Sequence, residues 1–280
     1  MRSLPFFRAL LRPPFRALAA ALLGAALCLL PAAWAAGAPG APGAPGGREA
    51  PVHGVRVVRT LPHDPGAYTQ GLFWHEGLLV ESMGRYGESR LRAVEPETGR
   101  VALEVRLPDH QFGEGAAPLG GAVLQLTWKS GQGYIRDLKT FRELGTFRYE
   151  GEGWGLAATP EGPVMSDGSS RLAFLSPRTL KPGRTITVRD GEREVGRLNE
   201  LEWIDGELWC NIWFEDAIAV VDPASGEVRA FIDLSGLRAR LPKGAEAANG
   251  IAHDPQTGRV FVTGKLWNTV FEVRVEPPLE

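Results

Sequence analysis

The chain has 280 residues, a formal net charge of −2 at pH 7 and a pI near 6.3. The near-balance of charges gives no basic field that would attract nucleic acid or an anionic membrane, so neither partner is expected.

Residues 1–35 have the order of a secretory signal peptide. Four arginines precede an apolar run at 17–30, and a small-residue cleavage site follows at 33–35. The run is too short to span a bilayer unaided, although an uncleaved anchor is the alternative. The segment therefore predicts an exported protein, either periplasmic or secreted.

Residues 36–50 are rich in Gly, Ala and Pro and are interpreted as a flexible linker. Residues 51–280 are then expected to fold as one all-β domain, for which this length is normal, and to act as a monomer. After cleavage Cys210 is the remaining cysteine, which excludes an intramolecular disulfide. Its strand-like neighbours predict a buried core residue rather than a catalytic thiol.

Within the predicted domain, a short unit recurs five times, and each copy opens with a polar or aromatic residue followed by Gly or Glu. The openings are Gln70-Gly71, Glu114-Gly115, Trp154-Gly155, Asn199-Glu200 and Asn249-Gly250, and their spacings are 44, 40, 45 and 50 residues. A period near 40–45 with short strands is typical of β-propeller blades. The pattern predicts five blades whose opening residues converge on one axis.

Each repeat is predicted to contain about four antiparallel strands. Turn signals separate the strands, as at Asp205-Gly206 and in the Pro-x-x-Gly turns that begin at Pro96, Pro223 and Pro255. The fifth repeat has only three strands before the chain ends, which would leave an unpaired edge. The strand-like segment 54–61 is therefore expected to pair with the last blade and close the ring.

A second ring of residues, 13–16 positions after the openings, is expected at the same mouth of the propeller: Gly84, Trp128, Asp167, Trp213 and Lys265. Aromatic walls with a few convergent polar groups are the usual composition of a small-molecule site. For each tryptophan the alternative is plain packing between blades, and for Asp and Asn it is hydrogen bonding to the backbone of their own turns. For Lys265 the alternative is a solvated loop residue.

A series of motifs runs in order through residues 62–275. They are His63-Asp64-Pro65, Tyr68-Thr69-Gln70-Gly71-Leu72, Glu81-Ser82, Tyr86-Gly87, Phe112-Gly113-Glu114-Gly115, Gly153-Trp154-Gly155-Leu156-Ala157, Ser166-Asp167-Gly168, Leu198-Asn199-Glu200-Leu201-Glu202, Asn211-Ile212-Trp213, Asn249-Gly250-Ile251-Ala252 and Thr263-Gly264-Lys265-Leu266-Trp267. In these motifs the chain resembles the metal-independent glutaminyl cyclases of plants and bacteria.

The resemblance implies a five-bladed propeller that converts the N-terminal glutamine of peptides or proteins to pyroglutamate and releases ammonia. It places the catalytic glutamate at Glu114. It places the substrate pocket at Tyr68, Gln70, Phe112, Trp128, Trp154, Asn199, Trp213 and Lys265. Tyr68 departs from the family pattern, in which Phe is frequent. No cofactor and no catalytic metal are implied.

The residues themselves agree with such a reaction. Glu114 is the one carboxylate among the opening residues, and a single carboxyl group can take a proton from the attacking amine and return it to the leaving nitrogen. Gln70, Asn199, an indole N–H or Lys265 are candidate donors to the developing oxyanion. None of the five histidines has the spacing of a zinc site.

Two other functions use the same residues. A calcium-dependent propeller lactonase or esterase would bind the cation through oxygens of Glu114, Asp167, Asn199 and Asn249. A non-enzymatic peptide-binding propeller would leave the placement of Glu114 incidental. A structural cation near the axis is a further alternative to the absence of any cofactor.

Overall fold

The structure, a computed structural model, describes residues 49–278. The predicted signal peptide and residues 36–48 of the predicted linker lie outside this range. Among the described residues there are 22 strands and one short helix, so the all-β prediction is confirmed. In the same range, no helix has the length and apolarity needed to cross a bilayer.

The first three repeats each form a four-stranded antiparallel sheet in which successive strands are neighbours. The first sheet contains β2 (Thr69–His75), β3 (Leu78–Met83), β4 (Arg90–Val94) and β5 (Val101–Arg106). The second contains β6 (Gly113–Leu119), β7 (Ala122–Thr127), β8 (Gln132–Asp137) and β9 (Glu143–Arg148). The third contains β10 (Leu156–Thr159), β11 (Gly162–Ser166), β12 (Arg171–Leu175) and β13 (Pro182–Thr187).

The last two repeats belong to one eight-stranded sheet, which also includes β1 (Val52–Pro62). The fourth repeat supplies β16 (Leu198–Ile204), β17 (Glu207–Ile212), β18 (Ala217–Val221) and β19 (Val228–Asp233). The fifth supplies β20 (Ala248–Asp254), β21 (Arg259–Gly264) and β22 (Thr269–Pro278). The strand order is β16-β17-β18-β19-β1-β22-β21-β20.

The segment expected to form a strand at 54–61 lies within β1. This strand pairs antiparallel with β22 from His53↔Pro278 to Pro62↔Thr269. It also makes a short parallel pairing with β19, at Val52↔Phe231 and His53↔Ile232. The fifth repeat therefore acquires a fourth strand from the N-terminal side of the described chain, and that strand joins it to the fourth repeat.

Two elements were not predicted from the sequence. A two-stranded hairpin, β14 (Arg189–Asp190) with β15 (Arg193–Glu194), follows the third sheet, and the helix α1 (Ser235–Arg238) follows β19. The hairpin binds the two residues described before β1, because Asp190 Oδ1 accepts the N–H groups of Glu49 and Ala50 at 3.0 and 2.8 Å.

The first strands of the five repeats are mutual neighbours in a cyclic order: β2 with β6, β6 with β10, β10 with β16, β16 with β20, and β20 with β2. The approach is close enough to require glycine. A Cβ on Gly71 would lie 2.5 Å from the N atom of Ala116, and one on Gly155 would collide with the carbonyl oxygen of Asn199. Apolar residues fill the spaces between adjacent sheets, and Cys210 lies fully buried in one of these clusters, as predicted.

Candidate active site

Glu114 lies near the start of β6 with 4 % of its surface exposed. Its Oε1 accepts a hydrogen bond of 2.8 Å from Nε2 of Gln70, the residue at the equivalent position of β2. Burial raises the pKa of Glu114 well above its usual range, although the nearby Lys265 charge opposes the increase. The Gln70 hydrogen bond also lowers the pKa, whereas the charge of Glu152 raises it. A carboxyl group with a raised pKa can donate and accept a proton near neutral pH.

Lys265 follows β21 and is 3 % exposed, so the structure places a buried cation in the same region as Glu114. Burial lowers the pKa of Lys265, while the charges of Glu114 and Glu246 raise it. Its Nζ lies 4.9 Å from the ring centroid of Tyr68 and 6.0 Å from that of Trp213. The two aromatic faces therefore hold the ammonium group between them.

One aromatic wall joins three predicted pocket residues. The ring of Phe112 contacts that of Tyr68, with centroids 6.1 Å apart, and that of Trp128, at 5.7 Å. The exposed Tyr86 packs on the outer side of Phe112 at 5.4 Å. Burial and the neighbouring Glu246, which accepts from its hydroxyl, raise the pKa of Tyr68 to about 12. Tyr68 is therefore a neutral wall residue at ordinary pH.

A second aromatic wall is formed by Trp154 and Trp213, whose rings meet edge to face with centroids 5.2 Å apart. The side chain of Glu152 connects the two walls, because its Oε2 accepts the indole N–H groups of Trp128 at 2.6 Å and of Trp154 at 2.9 Å. Glu152 was not predicted from the sequence, in which a carboxylate within a Gly-x-Gly-Trp-Gly segment is the available signal. Its contacts occupy two of the three ring indole N–H groups that were candidate donors to the oxyanion, and the indole of Trp213 is the third.

Asn199 is 2 % exposed at the start of β16. Its Oδ1 is buried and has no hydrogen-bond partner among the described residues. A buried carbonyl without a donor is costly, and a partner supplied by a bound molecule is one explanation for it. The side chain is thus suited to accept an N–H from a bound molecule.

Two residues of the predicted rings have local roles. Asp167 Oδ1 accepts the N–H of Ser169 at 3.0 Å, and its other oxygen pairs with Arg171 at 3.3 Å, so Asp167 stabilises its own turn. Gly84 lies under the Phe112 ring, where a Cβ would collide with it. Hydrogen bonds, ring contacts and charge interactions connect seven of the eight predicted pocket residues with Glu114, partly through Glu152. Among the described residues, Asn199 is buried without a side-chain contact to them, and Asp167 lies outside this set.

The donor arrangement around Glu114 does not resemble a calcium site. Asn249 directs its Nδ2, rather than its oxygen, toward the carbonyl of Thr69 and Oε1 of Gln70. Gln70 likewise presents its Nε2 to Glu114. Within residues 49–278, no three His, Cys, Asp or Glu side chains converge as metal ligands. The absence of a catalytic metal stays a prediction.

Comparison with known proteins gives a consistent result. A family model described as "Glutamine cyclotransferase" matches residues 25–275. A curated glutaminyl-peptide cyclotransferase of Arabidopsis thaliana is 38 % identical over 231 residues, which cover 80 % of this chain and 72 % of the relative. The crystal structure of Myxococcus xanthus glutaminyl cyclase superposes with a TM-score of 0.78 at 34 % identity, covering 83 % of this chain and 100 % of that one.

An all-β fold that carries a buried carboxyl group beside a buried lysine, together with these relatives, defines an enzyme of acyl transfer. The chain belongs to the glutamine cyclotransferase family. The resemblance described from the sequence motifs is thereby confirmed.

Proposed function

We propose that the chain converts the N-terminal glutamine of peptides and proteins to pyroglutamate and releases ammonia. The observation that carries the proposal is the position of Glu114, buried against Gln70 and close to the Lys265 charge. In the reaction, the α-amine nitrogen forms a bond with the side-chain carboxamide carbon. The bond between that carbon and the amide nitrogen then breaks, and the nitrogen leaves as ammonia.

Glu114 carries the proton. Its carboxylate takes a proton as the α-amine attacks and returns it to the departing nitrogen, so that the enzyme ends in its initial state. Burial raises the pKa of Glu114 and favours the second step, while Lys265 and Gln70 lower it and preserve a carboxylate for the first. The two opposing influences suit one group to both roles.

Lys265 stabilises the oxyanion. Glu152 occupies the indole N–H groups of Trp128 and Trp154, and Glu114 occupies an amide N–H of Gln70. Among the candidate donors, Lys265 is the one whose charge acts on Glu114. Asn199 accepts an N–H of the substrate through its unpartnered Oδ1. The remaining pocket residues keep the glutamine side chain folded back on its amine, which is the proximity component of catalysis. They are Tyr68, Phe112, Trp128, Trp154 and Trp213.

The proposed fold is a five-bladed propeller closed by β1. Two observations support it: the first strands of the five repeats are neighbours in a cyclic order, and β1 provides the outer strand beside β22. The proposal also includes a monomer of 51–280 that is exported by the segment 1–35, with the linker 36–50 between them, and that uses no cofactor.

The test is an ammonia-release assay on a peptide that begins with Gln, with a peptide of the same composition and an internal Gln as control. Release from the first alone supports cyclisation, and release from both would indicate a general amidase. The same assay after EDTA treatment separates this function from a calcium-dependent hydrolase, because loss of activity that calcium restores would favour the latter. Binding of the peptide without ammonia release would favour the non-enzymatic alternative.

A further inference from the structure

Three side chains form a directed chain of hydrogen bonds that ends at Glu114. Asn249 Nδ2 donates to Gln70 Oε1 at 3.0 Å, and Gln70 Nε2 donates to Glu114 Oε1 at 2.8 Å. All three side chains are at most 4 % exposed. They belong to three different repeats, so the chain of bonds crosses the region where β20, β2 and β6 meet.

Two backbone groups determine the direction of this chain. The carbonyl of Thr69 accepts from Asn249 Nδ2 at 2.9 Å, and the N–H of Glu200 donates to Asn249 Oδ1 at 3.4 Å. A backbone carbonyl can only accept and a backbone N–H can only donate, so the Asn249 amide has one permitted orientation. Its nitrogen therefore faces Gln70, which must present Oε1 to Asn249 and Nε2 to Glu114.

We propose that Asn249 is a positioning residue for the reaction, which sets the orientation of the Gln70 amide so that Gln70 can only donate to Glu114. The inference rests on the proposed function in assigning the proton transfer to Glu114. With Asn249 absent, nothing in this chain of bonds prevents the Gln70 amide from turning its oxygen toward the carboxylate.

The orientation matters for the charge state of Glu114. A donor stabilises an ionised carboxylate, whereas a carbonyl oxygen in the same place repels it. Four other groups act on Glu114 electrostatically, namely Lys265, Glu152, Tyr68 and Tyr149. Both tyrosines have raised pKa values and stay neutral near pH 7, and the Asn249 substitution touches none of the four. A change in the titration of Glu114 would therefore report on Gln70.

The experiment compares Asn249→Ala with Asn211→Ala. Asn211 is a matched control because it is also fully buried, and it too binds the first residues of β20, accepting the Gly250 N–H at 2.9 Å. Its Nδ2 has no partner among the described residues. Both changes remove one buried amide, but only Asn249→Ala removes the hydrogen bond that orients the Gln70 amide.

The principal readout is the acid limb of the pH profile of kcat/KM, which reports groups of the free enzyme and free substrate. The substrate amine is common to all variants, so differences between variants belong to the protein. We expect Asn249→Ala to move the limb upward by about one pH unit, the size of a hydrogen bond to a charged group. Asn211→Ala should leave the limb where the unsubstituted enzyme has it.

Gln70→Met supplies a second route to the same result, because it removes the donor and keeps the side-chain length. The double variant Gln70→Met/Asn249→Ala should show the shift of Gln70→Met alone, since Asn249 acts through Gln70. If Asn249→Ala fails to fold, Asn249→Leu, which leaves no cavity, is compared with Asn211→Leu.

The carboxyl infrared band of Glu114, assigned by its loss in Glu114→Gln, gives the same titration without turnover. An upward shift confined to the Asn249 and Gln70 variants supports the proposal. An unmoved titration in Asn249→Ala, an equal shift in Asn211→Ala, or additive shifts in the double variant would overturn it. If Gln-initiated peptides release no ammonia, the proposed function fails, while the infrared titration still decides whether Asn249 positions Gln70.

Discussion

The N–H of Ile251 donates to Oε2 of Glu200 at 2.8 Å, so a side chain of β16 is bound to the backbone of β20. The other carboxylate oxygen accepts the N–H of Leu72 on β2 at 3.2 Å. The other four repeat openings have glycine at this position: Gly71, Gly115, Gly155 and Gly250. Among the five openings, the fourth is thus the one whose second residue carries a side chain, and the Glu200 carboxyl group ties three first strands together.

We expect Glu200→Gln to destabilise the protein, because one of the two backbone N–H groups would then face an amide NH₂. A buried donor left without an acceptor costs about 1–3 kcal/mol, which in a domain of this size lowers the Tm by several degrees. Glu202→Gln is the control on the same strand, because the Glu202 carboxyl group accepts the His253 N–H and the Gln carbonyl can replace it. Equal melting temperatures for the two variants would contradict this role of Glu200.

Glu114→Gln should lose most of its turnover with little change in KM, since the amide preserves size and hydrogen bonding but cannot carry the proton. General acid–base catalysis contributes about 10²–10⁴-fold, and a loss of that order in kcat is expected. Ammonia release from a Gln-initiated peptide measures it, with the far-UV spectrum and Tm as controls for folding. A variant that kept more than about a tenth of the turnover would exclude Glu114 as the proton carrier.

A buried ionic cluster around Glu81 should control stability in acid. The Glu81 carboxylate accepts from Arg92 Nε at 2.8 Å and pairs with His63 Nε2 at 3.1 Å. Burial by itself would raise the pKa of Glu81, but the charge and hydrogen bond of His63 and the charge of Arg92 outweigh it and lower the pKa to about 2. Because the folded-state pKa is depressed, Glu81 contributes stability above its unfolded value near 4.5, and this contribution is lost as the pH falls toward 2.

Glu81→Gln should accordingly lower the free energy of unfolding at pH 7 by several kcal/mol, since it removes the one buried carboxylate that binds both His63 and Arg92 and leaves Arg92 with its pair to Asp64. The difference in unfolding free energy between this variant and the unsubstituted protein should become smaller as the pH falls from 4.5 to 2. Urea unfolding at a series of pH values measures both quantities. Glu104→Gln, which breaks the partly exposed pair with Arg90 in the same sheet, should cost no more than about 1 kcal/mol. If the difference in unfolding free energy caused by Glu81→Gln did not depend on pH, the proposed role of Glu81 in acid stability would be wrong.

The pairing of β1 with β22 predicts an unequal response to two truncations. A chain that starts at Pro51 keeps the full pairing, whereas one that starts at Pro62 loses nearly all of β1 and exposes β22 as an edge strand. We expect the shorter chain to unfold at a clearly lower temperature or to aggregate. Indistinguishable thermal melts for the two chains would show that β1 contributes nothing to closure.

Much of the architecture was predictable because it depends on residues that are close together in the sequence. Alternating strands, the Asp205-Gly206 hairpin and the repeat of openings depend on contacts between residues close in sequence. The repeat also indicated that Gln70, Glu114, Asn199 and Asn249 occupy equivalent positions. The helix α1 and the hairpin β14–β15 were missed because the helix has four residues, each strand of the hairpin has two, and neither has a periodic pattern.

By itself, the sequence determined the strands, the family and the residue types at the site. The tertiary structure decided how those residues interact, because each decisive bond joins distant parts of the chain. Gln70 and Glu114 are 44 positions apart, and Asn249 and Thr69 are 180 apart. Which end of an amide faces a carboxylate depends on the backbone groups that packing brings beside it. The repeat could place Asn249 at the axis, but only the Thr69 carbonyl and the Glu200 N–H fix its orientation.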